Sequence, residues 1–161
     1  MYELIVEVKT VSYAKKIKKL QSFIVREPFS VDVKFTNIGS SFFPGGQLTL
    51  LVAWSNGQGV TVPVIIPELD INKDETVELN KTEALAEGFG LILIRNVKAN
   101  DGNTITLFDI KRESIEPKVA IHSIPTKTWE EIYTYWALII AVISLIPIAV
   151  QSIWTIILWI F

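Results

Sequence analysis

The stretch "FSVDVKFTNIGSSFFPGGQLTLLVAW", residues 29–54, predicts two β-strands joined by a turn. Every second residue is apolar in each half, which is the period of a strand that buries one face. Between the halves, Pro44 fixes φ and Gly45 permits a positive φ, so the chain can turn there. The apolar positions that we expect in the core are Phe29, Val31, Val33, Phe35, Leu48, Leu50, Val52 and Trp54.

Similar segments lie on both sides of this stretch. Residues 2–10 alternate between apolar and polar side chains in the same way. The segment "VTVPVII", residues 60–66, follows the hairpin signal Asn56-Gly57. Pro63 in this segment cannot donate a hydrogen bond to a neighbouring strand, so we expect an edge strand there.

The next part of the chain has weaker patterns. "TVEL", residues 76–79, predicts a short strand, and "KTEALAEG", residues 81–88, has a weak helical pattern. "FGLILIRNVKA", residues 89–99, is apolar on both faces at its centre, which indicates a more buried strand. We assign Leu91 and Leu93 of this strand to the core.

The remaining segments complete an all-β pattern. "NDGN", residues 100–103, predicts a second hairpin turn with "TITLFDI" as its partner strand, and "KVAIHSI", residues 118–124, predicts the last strand. No long amphipathic helix alternates with the strands, which argues against βαβ units. We therefore expect residues 1–124 to form an all-β domain, an antiparallel two-layer sandwich with Greek-key connections. A closed barrel is the alternative.

The segment "VDVKFTNIGSSFFPGGQLTLLVAW", residues 31–54, resembles the opening of CARDB-type and related Ig-like domains of archaeal and bacterial surface proteins. In these domains a V-x-V-x-F-x-N-x-G strand end precedes a polar loop and a second hydrophobic strand. "IPELDINKDETVEL", residues 66–79, resembles their proline-led segment before the next strand. The resemblance covers residues 29–110. It implies an Ig-like sandwich that serves as a binding or spacer module without catalysis, and it assigns no functional residue.

Composition excludes several kinds of site. The chain has no cysteine, which excludes disulfides, thiolate zinc sites and cysteine nucleophiles. Its formal net charge of −2 gives no overall attraction to nucleic acid. No G-x-S-x-G, phosphate-binding or dinucleotide-binding motif is present, and the single histidine, His122, lies in an apolar run. We therefore expect no enzymatic activity, no metal and no cofactor; an enzyme whose site is dispersed through the sequence is the alternative.

Three polar segments are further candidates. "DINKDE", residues 70–75, begins like a calcium loop but lacks the later glycine and bidentate glutamate of an EF-hand, which favours a polar turn. Asn80 begins an N-glycosylation sequon, which matters only if the domain faces the outside of the cell. Four lysines within residues 15–19 favour a solvated loop, with contact to anionic lipid as the alternative.

The segment "YWALIIAVISLIPIAVQSIWTIILWIF", residues 135–161, carries no charge. A membrane span needs about 20 apolar residues, so this run is sufficient with some tilt. Aromatic residues near both ends match the belts at membrane interfaces, and membrane helices tolerate a proline such as Pro147. We expect one transmembrane helix over residues 135–161, which makes the protein tail-anchored and single-pass. A re-entrant hairpin broken at Pro147 is the alternative.

The start and orientation of the helix follow from polar residues. Thr128 and Glu131 form the T-x-x-E pattern of a capping box, so we expect the helix from about residue 128, with residues 125–134 as a short linker and helix start. Lysine and arginine precede the span and none follows it, so the positive-inside rule places the sandwich in the cytoplasm. The N-terminus does not have the pattern of a secretory signal, which agrees with a cytoplasmic sandwich. The resemblance to surface proteins makes an extracellular domain the alternative.

Small and polar residues of the tail fall on one side of a helix with about 100° per residue. They form a stripe of Ala137, Ala141, Ser144, Gln151 and Thr155. Because membrane helices associate through small residues and interhelical hydrogen bonds, we expect the stripe to bind another transmembrane helix, from a second copy or a different subunit. The alternative is a chance arrangement in which Gln151 bonds to its own helix.

The expected function is that of a non-enzymatic, membrane-anchored accessory protein, a small subunit of a larger membrane complex. Its expected partners are the lipid bilayer and another transmembrane helix, and nucleic acid is not expected. An outward-facing cell-envelope or adhesion module is the alternative function.

Overall fold

The computed structural model describes residues 1–12, 22–116 and 119–160, without the side chains of residues 80, 81, 152 and 155–160. The chain divides into two compact units, Met1–Thr126 and Lys127–Phe161. The lysines within residues 15–19 and the side chain of Asn80 lie outside the described part, so the expectations for them stay predictions.

The described residues form strands in the first unit and one helix, α1, in the second. The elements are β1 Tyr2–Ser12, β2 Phe23–Ile24, β3 Pro28–Asn37, β4 Gly46–Trp54, β5 Gly59–Ile66, β6 Asp74–Glu83, β7 Gly88–Ala99, β8 Ile105–Phe108, β9 Ala120–Lys127 and α1 Trp129–Ile160.

The strands form two sheets with the apolar core between them, which confirms the predicted β-sandwich. The four-stranded sheet has the order β6–β3–β1–β8, and the five-stranded sheet has the order β2–β9–β7–β4–β5. β1 pairs antiparallel with β3 but parallel with β8, so the sandwich is mixed and not purely antiparallel. β5 lies at a sheet edge, as Pro63 predicts.

The segment predicted as a second hairpin instead crosses between the sheets. β7 belongs to the five-stranded sheet and β8 pairs with β1 in the other sheet, so the hairpin prediction for residues 100–103 is wrong. Polar contacts hold this turn to distant segments: the Tyr2 hydroxyl donates to Asp101 Oδ2 at 2.5 Å, and Asn100 Nδ2 donates to Pro44 O at 3.0 Å. These contacts join the turn to the start of β1 and to the segment before β4.

Two strands extend further than the local sequence predicts. β6 continues to Glu83, paired with the start of β3, so the helical pattern of residues 81–88 does not produce a helix. β9 continues to Lys127, so the first part of the expected linker is strand. Near the end of β9, the buried Thr126 donates through Oγ1 to Ala86 O at 2.7 Å. Pairing with neighbouring segments therefore outweighs local propensity at both places.

All the expected core residues of β3 and β4 are buried. In β7, however, the expected assignment is wrong by one residue. Ile92 and Ile94 are buried in the core, while Leu91 and Leu93 are half-buried on the opposite face of the strand.

The packing of Trp54 explains the orientation of β7. Trp54 lies directly opposite Gly90, and a Cβ atom added to Gly90 would stand 2.4 Å from the indole ring. Gly90 therefore faces the core, and its bare backbone makes room for the ring. Since side chains alternate along a strand, the residues on either side of Gly90 face outward. Phe29 also packs edge-on against Trp54, with ring centroids 6.0 Å apart.

Asn37 ends β3 with a fully buried side chain. Its Nδ2 donates to Ser41 O at 2.9 Å and to Leu69 O at 3.0 Å, while its Oδ1 accepts from Gly39 N at 3.0 Å. The backbone of Asn37 bonds in addition to the turn before β6. One residue thus joins the crossover from β3 to β4 with the segment that leads into β6.

Trp54→Ala should lower the free energy of unfolding by about 3–5 kcal/mol, because it removes a buried aromatic side chain and leaves a cavity. The measurement is urea unfolding of residues 1–127, which we expect to fold cooperatively because the core cluster lies within the first unit. Phe89→Ala is the control, since Phe89 is 49% exposed. A loss below about 1 kcal/mol for Trp54→Ala would contradict the core position.

Asn37→Ala should lower the free energy of unfolding by about 2–3 kcal/mol, because Ser41 O loses its side-chain donor, Gly39 N loses its acceptor and Leu69 O keeps only the bond from Phe43 N. Asn37→Asp keeps an acceptor for Gly39 N but loses both donated bonds, so it should also be less stable than the wild type. The matched control is Asn56→Ala, in an exposed turn, with an expected change below about 0.5 kcal/mol. Equal stability of Asn37→Asp and wild type in urea would show that the donated bonds are unimportant.

Candidate functional site

α1 begins with the capping box that the sequence predicts. Thr128 N donates to Glu131 Oε2 at 3.0 Å, and Glu131 N donates to Thr128 Oγ1 at 3.2 Å. Glu130 and Glu131 also place negative charge at the positive end of the helix dipole. The rings of Trp129 and Tyr133 stack one turn apart, with centroids separated by 5.5 Å. The first turn is therefore stabilised by its own residues.

The surface of α1 is apolar and exposed. Trp129–Gln151, a stretch of 23 residues, is long and apolar enough to cross a membrane, and almost none of it is buried. Leu138, Ile143 and Leu145, for example, are each more than half exposed. The helix continues through Pro147, so the described part of α1 does not break where a re-entrant hairpin would.

The predicted interface stripe lies along one side of α1. The structure describes the side chains of four of its residues, and all four are exposed: Ala137, Ala141, Ser144 and Gln151. Ser144 Oγ donates to Ile140 O at 2.7 Å, so this hydroxyl bonds to its own helix. The side chain of Thr155 lies outside the described part of the chain. The role of the stripe in helix association stays a prediction.

A cavity of about 440 Å³ lies beside β1, next to the connection from β8 to β9. His122 lines it together with the carboxyl residues Glu7, Asp109 and Glu113. A histidine near several carboxylates is the arrangement that an enzyme with a dispersed site would need. The sequence does not predict this cavity, because its lining comes from segments about a hundred residues apart. The partners of these side chains decide what the cavity can do.

His122 joins the two sheets. Its Nε2 lies 3.2 Å from Thr10 Oγ1, so β9 contacts β1 across the sandwich. The ring is half-buried, and this burial lowers the pKa of His122 below its ordinary value. The neutral imidazole is therefore the favoured form in the folded protein.

Two of the three carboxylates of the cavity have partners close to them in the sequence. Glu7 Oε1 lies 3.0 Å from Lys9 Nζ, and Asp109 Oδ1 accepts from Glu113 N at 2.8 Å. In residues 1–12, 22–116 and 119–160, no group of three His, Asp or Glu side chains could hold a metal ion. Among the described side chains of the cavity, Glu7 and Asp109 thus contact groups close to them in the sequence, and His122 contacts Thr10 of β1.

The segment "DINKDE" forms a turn. Lys73 N donates to Asp70 O at 3.1 Å, which closes the turn with backbone groups. Asp74 begins β6 and its Oδ2 lies 2.9 Å from Lys34 Nζ of β3. The segment is thus a backbone turn followed by a cross-strand ion pair at Asp74.

The comparisons with known proteins bear on the fold. No family model matches the chain, and no curated protein matches it. A crystal structure of the Bordetella pertussis protein assigned as ApaA is 14% identical, with a TM-score of 0.52, over 78% of this chain and 94% of its own. The CARDB domain of the PF1109 protein from Pyrococcus furiosus, solved with di-metal ions, is 14% identical, with a TM-score of 0.41, over 78% of this chain and 89% of its own.

At this level of identity the similarity to the Bordetella structure shows a shared fold and nothing about activity. The class of the first unit is thus a two-layer β-sandwich. A CARDB domain is among the similar solved structures.

The stability of the protein should decrease as the pH falls below about 6.5, because His122 has a lowered pKa in the folded state. The unfolded chain then binds a proton that the folded chain does not, so the free energy of unfolding falls until the pH reaches the folded pKa. His122→Gln cannot titrate there, so its stability should change less between about pH 7.5 and pH 5. Urea unfolding across this range measures both proteins; equal pH dependence would contradict the role of His122.

Proposed function

We propose that this chain is a non-enzymatic interaction protein held in a membrane by α1, as a small single-pass accessory subunit of a larger membrane complex. The observation that carries the proposal is the exposure of a long, mostly apolar helix that follows, along the chain, a sandwich with its own core.

A bilayer is the environment that suits this helix. Burying a large aliphatic side chain is favourable by about 1.5–3 kcal/mol, and α1 presents such side chains on every side. Its backbone groups are satisfied within the helix, which is the condition for crossing a hydrocarbon layer. Trp129, Tyr133, Tyr135 and Trp136 cluster near its start, where an aromatic belt would meet the interface.

The stripe supports a role beyond anchoring. Ala137 and Ala141 allow another backbone to approach closely, and Ser144, bonded to its own helix, acts here as a small residue. The side-chain amide of Gln151 can donate two hydrogen bonds and accept two, so it can take part in more than one contact. The partner is therefore a second membrane helix with a polar group at the matching depth.

The charge distribution favours a cytoplasmic sandwich. Lys111, Arg112, Lys118 and Lys127 precede the span, and such residues are retained on the cytoplasmic side. A non-enzymatic role is supported by the cavity at His122, where the imidazole contacts Thr10 and the carboxylates of Glu7 and Asp109 have partners close to them in the sequence.

We expect the full chain to stay in vesicles during alkaline carbonate extraction and to co-purify with a partner in mild detergent. Gln151→Leu should weaken that association about tenfold, because it removes an interhelical hydrogen bond worth roughly 0.5–2 kcal/mol and a stripe contact. Ile153→Leu, on the opposite side of the helix, is the matched control. Release by carbonate would refute the anchor, and equal co-purification of both variants would refute the stripe as an interface.

Sidedness is tested by protease digestion of the sandwich in closed and opened vesicles. Protection only in closed vesicles with the cytoplasmic face inside supports the proposed orientation. Glycan on Asn80 would favour the outward-facing alternative.

A further inference from the structure

β1 is much longer than the strand that pairs with it on one of its sides. It has 11 residues, and β3 pairs with residues 4–12. On the other side, β8 pairs only with residues 2–5. Beyond residue 5, the described part of the chain provides no strand on the β8 side of β1. We call residues 6–10 the open edge of β1.

The backbone of the open edge directs hydrogen-bonding groups towards its unpaired side. Tyr2 N donates to Thr104 O at 2.9 Å, on the side of β1 where β8 lies. Backbone groups alternate between the two sides of a strand, so the even-numbered residues of β1 all point to this side. Val8 and Thr10 therefore present their N–H and C=O groups where no described strand receives them.

Two other edges of the sandwich are closed to further pairing. The outer side of β8 is occupied, since Ile115 N donates to Leu107 O at 2.8 Å. The edge strand β5 contains Pro63, which has no N–H to donate. Residues 6–10 contain no proline, and the charged side chains of Glu7 and Lys9 pair with each other. The open edge thus lacks the devices that close the other two edges.

The cavity of about 440 Å³ borders the open edge. Val6, Glu7 and Val8 of β1 line it together with the apolar residues Ile115 and Ile121. An extended residue takes up about 3.3 Å along its strand, about 4.8 Å between strands and about 10 Å between layers, which is roughly 160 Å³. The cavity therefore has room for about three residues of an extended chain next to β1.

The charged side chains around the cavity are mainly acidic. Glu7, Asp109 and Glu113 line it together with one lysine, Lys111. Basic side chains on an added strand would be attracted to such a surface, because complementary charge favours association. The inward side of the same strand would meet apolar side chains of the cavity. A sequence that alternates apolar and basic residues suits both sides.

We propose that the open edge binds an extended segment of a partner protein as an added β-strand, in which apolar residues alternate with lysine or arginine. Main-chain hydrogen bonds to Val8 and Thr10 supply affinity, and the alternating side chains supply specificity. Lipid has no row of alternating donors and acceptors with the spacing of a strand. The site lies within the first unit and does not rest on the proposed role of α1.

Peptide binding to the full chain in mild non-ionic detergent tests the site. The probe is a short fluorescent peptide of alternating lysine and valine, and fluorescence anisotropy measures its affinity. The same peptide with N-methylated backbone amides keeps the charge but loses the backbone donors, so it should bind at least about tenfold more weakly. A peptide of alternating glutamate and valine should also bind at least about tenfold more weakly, because its charge is opposite.

A substitution in β1 tests where the peptide binds. Val8→Pro removes an N–H group from the open edge and no bond to β3, so it should weaken peptide binding about tenfold. Val8→Ala is the matched control, because it also replaces the side chain but keeps the N–H group, and its affinity should stay within about threefold of the wild type. Circular dichroism melting shows whether each variant folds.

Equal affinity for the N-methylated peptide, or no binding of the lysine–valine peptide, overturns the proposal. A folded Val8→Pro variant with unchanged affinity also overturns it, because the peptide would then bind elsewhere. If Val8→Pro does not fold, the N-methylated peptide decides the question with the natural chain. The assay contains no partner of α1, so its result is separate from carbonate extraction and from the effect of Gln151→Leu.

Discussion

The sandwich depends on one buried amide at the end of β3. The side chain of Asn37 is fully buried, and an amide in such a place without partners would cost roughly 2–7 kcal/mol. Its partners are backbone groups at Gly39, Ser41 and Leu69, which lie on both the crossover to β4 and the approach to β6. The amide is satisfied only when both connections are in place. The side chain that ends β3 therefore has all its hydrogen bonds only when the two sheets are packed as observed.

A steric constraint at the centre of the core adds to this polar one. The ring of Trp54 requires the bare backbone of Gly90, and this contact decides which side of β7 faces inward. Leu91 and Leu93 are consequently left on the outside, although they are as apolar as the core residues Ile92 and Ile94. The apolar outer side of β7 is thus a consequence of how one indole ring is accommodated.

These constraints explain what the sequence predicts and what it does not. β3 and β4 are predictable because polar residues alternate with their core residues, and the cap at Thr128 is predictable because its bonds span four residues. Alternation cannot orient β7, since both of its faces are apolar, and only the contact with Trp54 does so. The hairpin prediction for residues 100–103 is wrong because β8 pairs with β1, about a hundred residues earlier in the chain, which local sequence does not reveal. The cavity at His122 cannot be predicted from the sequence either, because its lining residues are far apart along the chain.

The join between strand and helix gives the molecule a mechanical property. A single residue, Thr128, separates β9 from α1, so any tension on the helix enters the sandwich through β9. β9 lies between β2 and β7, and the hydroxyl of Thr126 is fastened to Ala86 O close to its end. A load along this strand has to shear its ladder with β7, in which several hydrogen bonds break together. The hydrogen bonds between β9 and β7 thus share any such load.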